Sequence, residues 1–184
     1  MTDARMKWNQ KYLNRLNEVE QPVANIRLKN LTAYLNGQTA LDIACGLGGN
    51  SLLLADIGYT VHALDISDVA INYLKEKAEE KKLPIIPRTC DLTKLHNLTD
   101  SFDMIVMTYY LDRNIFPVVK SMVKEKGYFF METFYTSPLT EGQTISEKYQ
   151  LQPQELLHEF QGWKILFYEE NEQEGRQTIF CQKN

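Results

Sequence analysis

A glycine-rich turn flanked by acidic residues is the part of the sequence best suited to hold a ligand. Residues 41–50 read LDIACGLGGN, so Gly46 and Gly48 follow a short apolar segment. Glycines let a backbone approach a ligand closely, and the N–H groups that begin the following helix lack intrahelical partners. Asp65 ends the next predicted strand, where a carboxylate can accept hydrogen bonds from both hydroxyl groups of a ribose. The pattern therefore predicts a ligand that contains a nucleoside.

Other residues around this turn distinguish between two such ligands. Ser51 stands where the GxGxxG pattern of dinucleotide sites has its third glycine. Asp42 precedes the turn, and its carboxylate suits the cationic ammonium and sulfonium of S-adenosylmethionine (SAM) but would repel a pyrophosphate. Asp91, just after the third predicted strand, offers a polar group where an adenine amine could lie. The sequence therefore favours SAM over NAD, and 184 residues leave no second domain for a dehydrogenase's substrate.

Strands that alternate with helices must position these side chains. The hydrophobic pattern predicts five strands separated by helices, followed by two strands with no helix between them. The predicted strands are Thr39–Ala44, Tyr59–Leu64, Pro84–Cys90, Phe102–Thr108, Tyr128–Thr133, Trp163–Tyr168 and Gln177–Cys181, and the predicted helices include Val23–Leu35 and Ile115–Lys124. This alternation predicts an α/β fold with a doubly wound, Rossmann-like parallel sheet. The last two strands predict a C-terminal antiparallel hairpin, which makes the sheet mixed.

Length and composition predict one domain. The chain has 184 residues, 43% of them hydrophobic, and no linker interrupts it. We expect a single domain over residues 1–184, with an N-terminal helical cap over residues 1–36 and the Rossmann-like core over residues 37–184.

Charge and cysteine content exclude several classes of protein. The net charge is -4 and the basic residues are scattered among acidic ones, so nucleic acid is not an expected partner. Three separated cysteines form no CxxC pair, which favours a reducing compartment and predicts a cytoplasmic protein. No apolar run reaches the roughly 20 residues that span a membrane. No histidine has partners at metal-ligand spacing, so no metal site is predicted.

The residues resemble those of a known family. The run LDIACGLGGNSLLLADIGYTVHALDIS, residues 41–67, is similar to the first two motifs of class I SAM-dependent methyltransferases. The resemblance is closest to the tellurite-resistance type and its small bacterial relatives, and it covers nearly the whole chain. Further similar residues are Trp8 and Asn9 with Tyr12, Pro22–Asn25, Tyr110–Arg113 followed by Phe116 and Pro117, Glu132–Phe134 and Leu151–Leu157. This resemblance implies a seven-stranded sheet whose final hairpin places strand seven antiparallel.

The resemblance also implies which residues contact the cofactor. The turn glycines would border its methionine end, Asp65 its ribose, and Asp91 with Leu92 its adenine. The full set of expected cofactor-binding residues is Asp42, Ala44, Gly46, Gly48, Asp65, Ile66, Asp91, Leu92 and Thr108. Trp8 and Tyr12 either close over the cofactor or only pack the N-terminal helix. Departures from the family pattern, such as Gly49 where many relatives have arginine, concern the acceptor rather than the cofactor.

The methyl acceptor is less defined than the cofactor. Tyr109, Tyr110 and Arg113 follow the fourth predicted strand, where an α/β sheet opens its ligand crevice, and they are the candidate acceptor-binding residues. Arg113 could hold an anionic acceptor or could pair with a surface carboxylate. No general base is evident beside the crevice, which favours a soft or already anionic small molecule, such as a thiolate, tellurite or selenite. We expect a monomer or a homodimer.

Two other functions remain open on the sequence alone. An RNA or protein methyltransferase would share the cofactor motif, although the segment Thr108–Leu111 lacks the Pro-Pro motif common in the small-RNA branch. A non-catalytic SAM-binding sensor would also keep Gly46, Gly48 and Asp65. Turnover with a metabolite pool would separate the enzyme from the sensor.

Overall fold

A seven-stranded mixed sheet organises the fold, and the computed structural model describes residues 3–18, 21–97, 100–139 and 145–184. The strand order is β3-β2-β1-β4-β5-β7-β6. The strands are β1 (Thr39–Ile43), β2 (Thr60–Asp65), β3 (Ile85–Thr89), β4 (Phe102–Thr108), β5 (Val123–Phe134), β6 (Lys164–Asn171) and β7 (Arg176–Gln182). The helices are α1 (Asp3–Asn17), α2 (Ile26–Leu31), α3 (Gly49–Asp56), α4 (Asp68–Lys81), α5 (Phe116–Met122) and α6 (Glu155–Glu159). The predicted α/β fold with seven strands is therefore confirmed.

The chain divides into two compact units, Met1–Leu98 and Thr99–Asn184. The prediction of one domain with a helical cap over residues 1–36 stays a prediction. Among the described residues, no helix is long and apolar enough to cross a membrane.

In the first unit, three parallel strands carry the turn and its acidic partners. Strand β2 pairs with β1 on one side and with β3 on the other, and all these pairs are parallel. Helix α4 begins after Ser67, whose side-chain oxygen accepts a hydrogen bond from the Ala70 N–H, as an N-cap residue does. Its buried face includes Leu74, which has no exposed surface.

The predicted helix Val23–Leu35 is wrong at its start. The side chain of Asn25 accepts hydrogen bonds from the N–H groups of Arg27 and Leu28, so the helix begins at Ile26. It ends at Leu31 and continues as a single 3₁₀ turn over Thr32–Tyr34.

The second unit holds the antiparallel part of the sheet. Strand β5 pairs in parallel with β4, and β7 lies antiparallel to both β5 and β6, which confirms the predicted hairpin. The fifth strand begins at Val123 and not at Tyr128, so the predicted helix Ile115–Lys124 is too long. Val123 pairs with Phe102 across the sheet, and Lys124 forms an ion pair with Asp103 at 3.0 Å. These contacts extend the strand through residues whose polar pattern resembles a helix end.

Candidate functional site

The glycine-rich turn after β1 has a backbone conformation that few residue types adopt readily. Ala44, Gly46 and Gly48 all have positive φ angles, of 56°, 54° and 86°. Glycine enters this region without steric cost, whereas a residue with a side chain, such as Ala44, is strained there. The Gly48 N–H donates to the Cys45 carbonyl at 2.9 Å, which closes the turn. Helix α3 begins directly after it, at Gly49.

Asp65 connects this turn to the start of α4. Its Oδ2 accepts a hydrogen bond from the Gly46 N–H and its Oδ1 accepts one from the Ser67 N–H, both at 2.9 Å. The residue is only 4% exposed, and burial is the main reason that the pKa of its carboxyl lies above the usual value. Backbone hydrogen bonds lower the pKa of the Asp65 carboxyl against this effect.

The turn glycines also lie against protein atoms. A Cβ on Gly48 would lie 2.3 Å from Cδ1 of Leu74, and one on Gly49 would lie 2.4 Å from the carbonyl oxygen of Val23. A Cβ on Gly46 would lie 2.8 Å from the hydroxyl oxygen of Tyr12. Gly48 and Gly49 are therefore needed for packing of the turn itself.

Helix α1 packs across the turn through Tyr12. Tyr12 is buried with Leu47 and Ala70, and Trp8 stacks on its ring with a centroid separation of 5.7 Å. Burial first, and then the charge of Asp65, raise the pKa of the Tyr12 phenol. Asn9 accepts a hydrogen bond from the Ser67 hydroxyl at 2.7 Å, which ties α1 to the start of α4. The first helix thus forms one wall around Gly46 and Asp65.

Asp42 is the most unusual group of the first unit. It is 1% exposed, and its Oδ2 accepts a hydrogen bond from the Ser51 hydroxyl at 2.6 Å. Its Oδ1 is buried and has no hydrogen-bond partner among the described residues. Burial, and secondarily the charge of Asp65, raise the pKa of Asp42 to about 7, against the lowering effect of Ser51. A buried carboxylate oxygen without a partner is costly, and a cationic ligand would satisfy it.

Other expected cofactor residues of this unit lie at the ends of β2 and β3. Ile66 directly follows β2 and is partly buried. Asp91 is partly exposed, and its Oδ1 accepts hydrogen bonds from the Thr93 N–H and hydroxyl group. Those bonds lower the pKa of its carboxyl. Leu92 is buried beside it. Asp91 therefore begins the following 3₁₀ turn in the described structure, and its contact with adenine stays a prediction.

A second group of polar side chains lies in the second unit, at the carboxyl ends of β4 and β5. Tyr109 follows Thr108, the last residue of β4, and its hydroxyl donates to Oε1 of Glu132 at 2.8 Å. Glu132 is 1% exposed, and its Oε2 accepts a hydrogen bond from the Thr178 hydroxyl at 2.8 Å. The sequence prediction gave Glu132 no role and placed it only in the family-like segment Glu132–Phe134, although a glutamate within the apolar run YFFMETF was a visible signal.

Arg176 adds a positive charge to this group. Its guanidinium carbon lies 3.9 Å from the ring centroid of Phe134 and 5.4 Å from that of Tyr109. Two backbone carbonyls, of Glu174 and Gly175, accept hydrogen bonds from its Nη1. No carboxylate of the described residues forms an ion pair with it. Arg176 was also missed, because its place beside Tyr109 depends on the register of β7.

Arg113 pairs with a carboxylate, in contrast to Arg176. Its Nε and Nη2 donate to the two carboxylate oxygens of Glu155 at 2.6 and 2.8 Å, and Nη2 also donates to the Gln150 carbonyl. Of the two roles predicted for Arg113, this contact corresponds to pairing with a surface carboxylate. Tyr110, the other candidate acceptor residue, is partly buried. A role of either residue in acceptor binding stays a prediction.

Metal ligands are not grouped in the described ranges. No set of three or more His, Cys, Asp or Glu side chains there could hold a metal ion. The three cysteines, Cys45, Cys90 and Cys181, are free.

Comparisons with known proteins identify the family. The family model described as "Tellurite resistance protein TehB" matches residues 11–179. A probable SAM-dependent methyltransferase TehB of Haemophilus influenzae is 30% identical over 150 residues, which are 75% of this chain and 50% of that protein. The chain therefore spans about half the length of this curated relative.

Solved structures share the fold. The crystal structure of TehB from Haemophilus influenzae has a TM-score of 0.78 and 21% identity, and the match covers 96% of this chain and 67% of that one. The magnesium protoporphyrin IX methyltransferase of Synechocystis PCC 6803, solved with bound S-adenosylhomocysteine (SAH), has a TM-score of 0.74 and 15% identity over 98% of both chains. The resemblance seen in the sequence is thus confirmed: the chain belongs to the tellurite resistance protein TehB family and has the fold of class I SAM-dependent methyltransferases.

Proposed function

We propose that this chain binds SAM and transfers its methyl group to a small molecule. One observation carries the proposal: the buried Asp42 carboxylate has an oxygen that no described residue hydrogen-bonds, beside a glycine-rich turn that Asp65 anchors. The cofactor is a cation, and a carboxylate of this kind fits a cation better than any neutral or anionic ligand. The names of the related proteins support the same activity.

Different residues of the first unit would bind different parts of the cofactor. We expect the backbone of Ala44, Gly46 and Gly48 to border the methionine end of the cofactor, and Asp42 to balance its positive charge. Asp65 and Ile66 would bind the ribose, and Asp91 with Leu92 the adenine. The bound cofactor supplies an electrophilic methyl group, so the protein mainly orients the two reactants and excludes water.

The positive charge of Arg176 in the second unit favours a methyl acceptor that is a small anion or becomes one. Arg176 holds a guanidinium against two aromatic rings without a carboxylate partner in the described part of the chain. A guanidinium binds oxyanions through paired hydrogen bonds. We therefore propose an acceptor such as a thiol or a chalcogen oxyanion, of which tellurite and selenite are examples. The net charge of -4 gives no support to a nucleic acid as the acceptor.

Two measurements test this function. Titration calorimetry with SAH tests cofactor binding, and absence of binding to the folded protein would refute the proposal. Formation of SAH from SAM, followed with tellurite, selenite and a panel of thiols, tests turnover. Tight SAH binding with no turnover on any acceptor would instead indicate a SAM-binding sensor.

The acceptor contact is tested by two arginine variants. Arg176→Ala should raise the acceptor KM about tenfold or more and leave SAH affinity unchanged, which is the signature of lost ground-state binding. Arg113→Ala is the matched control, because its guanidinium pairs with Glu155. A raised KM in Arg113→Ala alone would assign the acceptor to Arg113 instead.

A further inference from the structure

We infer that Glu132 receives the proton of the methyl acceptor through the hydroxyl group of Tyr109. The inference rests on the proposed methyltransferase function and deepens it. It adds acceptors that still carry a proton at neutral pH, such as aliphatic thiols, to acceptors that are already anionic. Tyr109 would touch the acceptor, and Glu132 would act through Tyr109.

The position of Glu132 is fixed by the sheet. Strand β5 pairs with β7 so that Glu132 lies opposite Thr178, and the Thr178 hydroxyl donates to Oε2 at 2.8 Å. Thr178 is fully buried, so it holds the carboxylate from the side of the protein interior. Oε1 then faces the Tyr109 hydroxyl, which donates to it at 2.8 Å. A buried carboxylate thus has one oxygen held by the protein and one bound to a tyrosine.

Tyr109 links this buried group to the surface. Its side chain is half-exposed, whereas Glu132 is buried. Its φ angle is +56°, a strained conformation that a bulky residue rarely adopts. The Tyr109 N–H donates to the Glu132 carbonyl at 2.8 Å, and this bond holds the residue in place. Residues in strained conformations persist only where the surrounding structure holds them, and they cluster at functional sites.

The chemistry of the pair suits a relay and not a free base. Burial, and then Glu132, raise the pKa of Tyr109 to about 12, although Arg176 lowers it. The phenol therefore keeps its proton at neutral pH, and it can give that proton to Glu132 only while it receives another.

In the proposed transfer, a lone pair of the acceptor atom forms the new bond to the methyl carbon. The bond between that carbon and the sulfonium sulfur of SAM breaks, and its electron pair stays on the sulfur of the cofactor. The acceptor's proton moves to the Tyr109 oxygen, and the Tyr109 proton moves to Oε1 of Glu132. The carboxylate becomes a carboxylic acid, and it returns the proton to water after the product leaves.

The test compares acceptors that differ in their need for a base. One acceptor is an aliphatic thiol, which is mostly protonated at pH 7, and the other is a nitro-substituted thiophenol, which is mostly ionised there. Glu132→Gln retains a side-chain oxygen for Tyr109 but cannot receive a proton. We expect kcat for the aliphatic thiol to fall about 100-fold or more, while kcat for the thiophenol changes less than about threefold. Tyr109→Phe should show the same difference between the two thiols.

The pH profile gives a second readout that a structural role would not move. In Glu132→Gln, the rate with the aliphatic thiol should recover as the pH rises toward the thiol's own pKa, near 8.5. The wild-type rate should depend less on pH over that range. Equal losses for both thiols at every pH would overturn the relay and make Glu132 a structural residue.

A second tyrosine–glutamate pair provides a matched control for Glu132→Gln. The hydroxyl group of Tyr168 donates a hydrogen bond to Glu170 at 2.6 Å, so Glu170→Gln makes the same change at a different pair. It should leave both rates unchanged. NMR of protein labelled with carbon-13 tyrosine should show that Glu132→Gln lowers the pKa of Tyr109 from about 12. An unchanged pKa would refute the coupling, whatever the rates.

Failure of the inference is distinguishable from failure of the proposed function. A wild-type protein that methylates neither thiol, tellurite nor selenite overturns the proposed function, and the relay with it. A wild-type protein that methylates only the ionised thiophenol supports the methyltransferase and overturns the relay.

Discussion

Replacing Asp42 with asparagine tests whether the first unit holds a carboxylate that destabilises the protein when no cofactor is bound. Burial raises the pKa of Asp42 from 3.8 to about 7. The folded protein therefore binds this proton more tightly than the unfolded chain does. The resulting stability is fully present below about pH 4, and it is lost as the pH rises from about 4 to about 7.

The magnitude follows from the same two pKa values. A tenfold change in proton affinity corresponds to about 1.4 kcal/mol, so the difference between 3.8 and about 7 corresponds to about 4 kcal/mol. Asparagine is neutral at all these pH values, and its amide oxygen can still accept the hydrogen bond from Ser51. We expect Asp42→Asn without cofactor to be about 4 kcal/mol more stable, relative to wild type, at pH 8 than at pH 4.

Urea denaturation of both proteins at pH 4, 6 and 8 measures this effect. Asp56→Asn is a control, since Asp56 is exposed at the end of α3 and its replacement should change the free energy of unfolding by less than about 0.5 kcal/mol. A difference between wild type and Asp42→Asn that is the same at all three pH values would refute the argument. The affinity for SAM, which is a cation, gives a second readout. It should rise with pH through about 7 in the wild type, and Asp42→Asn should bind SAM more weakly and without that dependence on pH.

Further variants test the turn and the two arginines. Asp65→Ala leaves the N–H groups of Gly46 and Ser67 unsatisfied, so we expect a loss of about 2–6 kcal/mol in urea denaturation and at least tenfold weaker SAH binding by calorimetry; unchanged SAH affinity in the folded variant would exclude Asp65 from the ribose site. Gly48→Val should destabilise the fold by about 2–5 kcal/mol, because its Cβ meets Leu74 at a positive φ. Gly58→Ala shares the positive φ but meets nothing within 4 Å, and it should cost less; equal thermal shifts in the two variants would contradict the packing argument. Arg113→Ala should lower stability by no more than about 1 kcal/mol, as expected for an exposed ion pair with Glu155, and a larger loss in urea denaturation would show that this contact is underestimated.

The buried strands could be predicted from sequence because their pattern is continuous. The segment Phe102–Thr108 was predicted with both ends correct, since five of its seven residues are apolar, as expected for a buried strand. The start of β5 could not be predicted in the same way. Its first residues, Val123 to Lys126, alternate in a manner that also fits a helix end, and only pairing with Phe102 decides between the two.

The cofactor turn was more predictable than the acceptor site for a related reason. Gly46, Gly48 and Asp65 are local signals, because a short strand–turn–helix brings them together whatever the rest of the chain does. Glu132, Thr178 and Arg176 come together only through the register between β5 and β7. Arg113 was predicted to bind the acceptor because it lies close in sequence to Tyr109. Its pairing with Glu155 could not be predicted, because Glu155 is distant in sequence.

The acidic residues around the turn make sense only if the ligand is a cation. Asp42 and Asp65 are both buried, and the charge of Asp65 contributes to the raised pKa of Asp42. Two buried carboxylates that disfavour each other's ionised form reduce the stability of the protein without ligand, and an apolar residue at position 42 would avoid that loss. Asp65 has a structural task, since it binds two backbone N–H groups. Asp42 is hydrogen-bonded to Ser51, and its Oδ1 has no partner within the described part of the chain. Its remaining role is therefore electrostatic, and a positively charged cofactor is the ligand that would restore the stability lost by burying it.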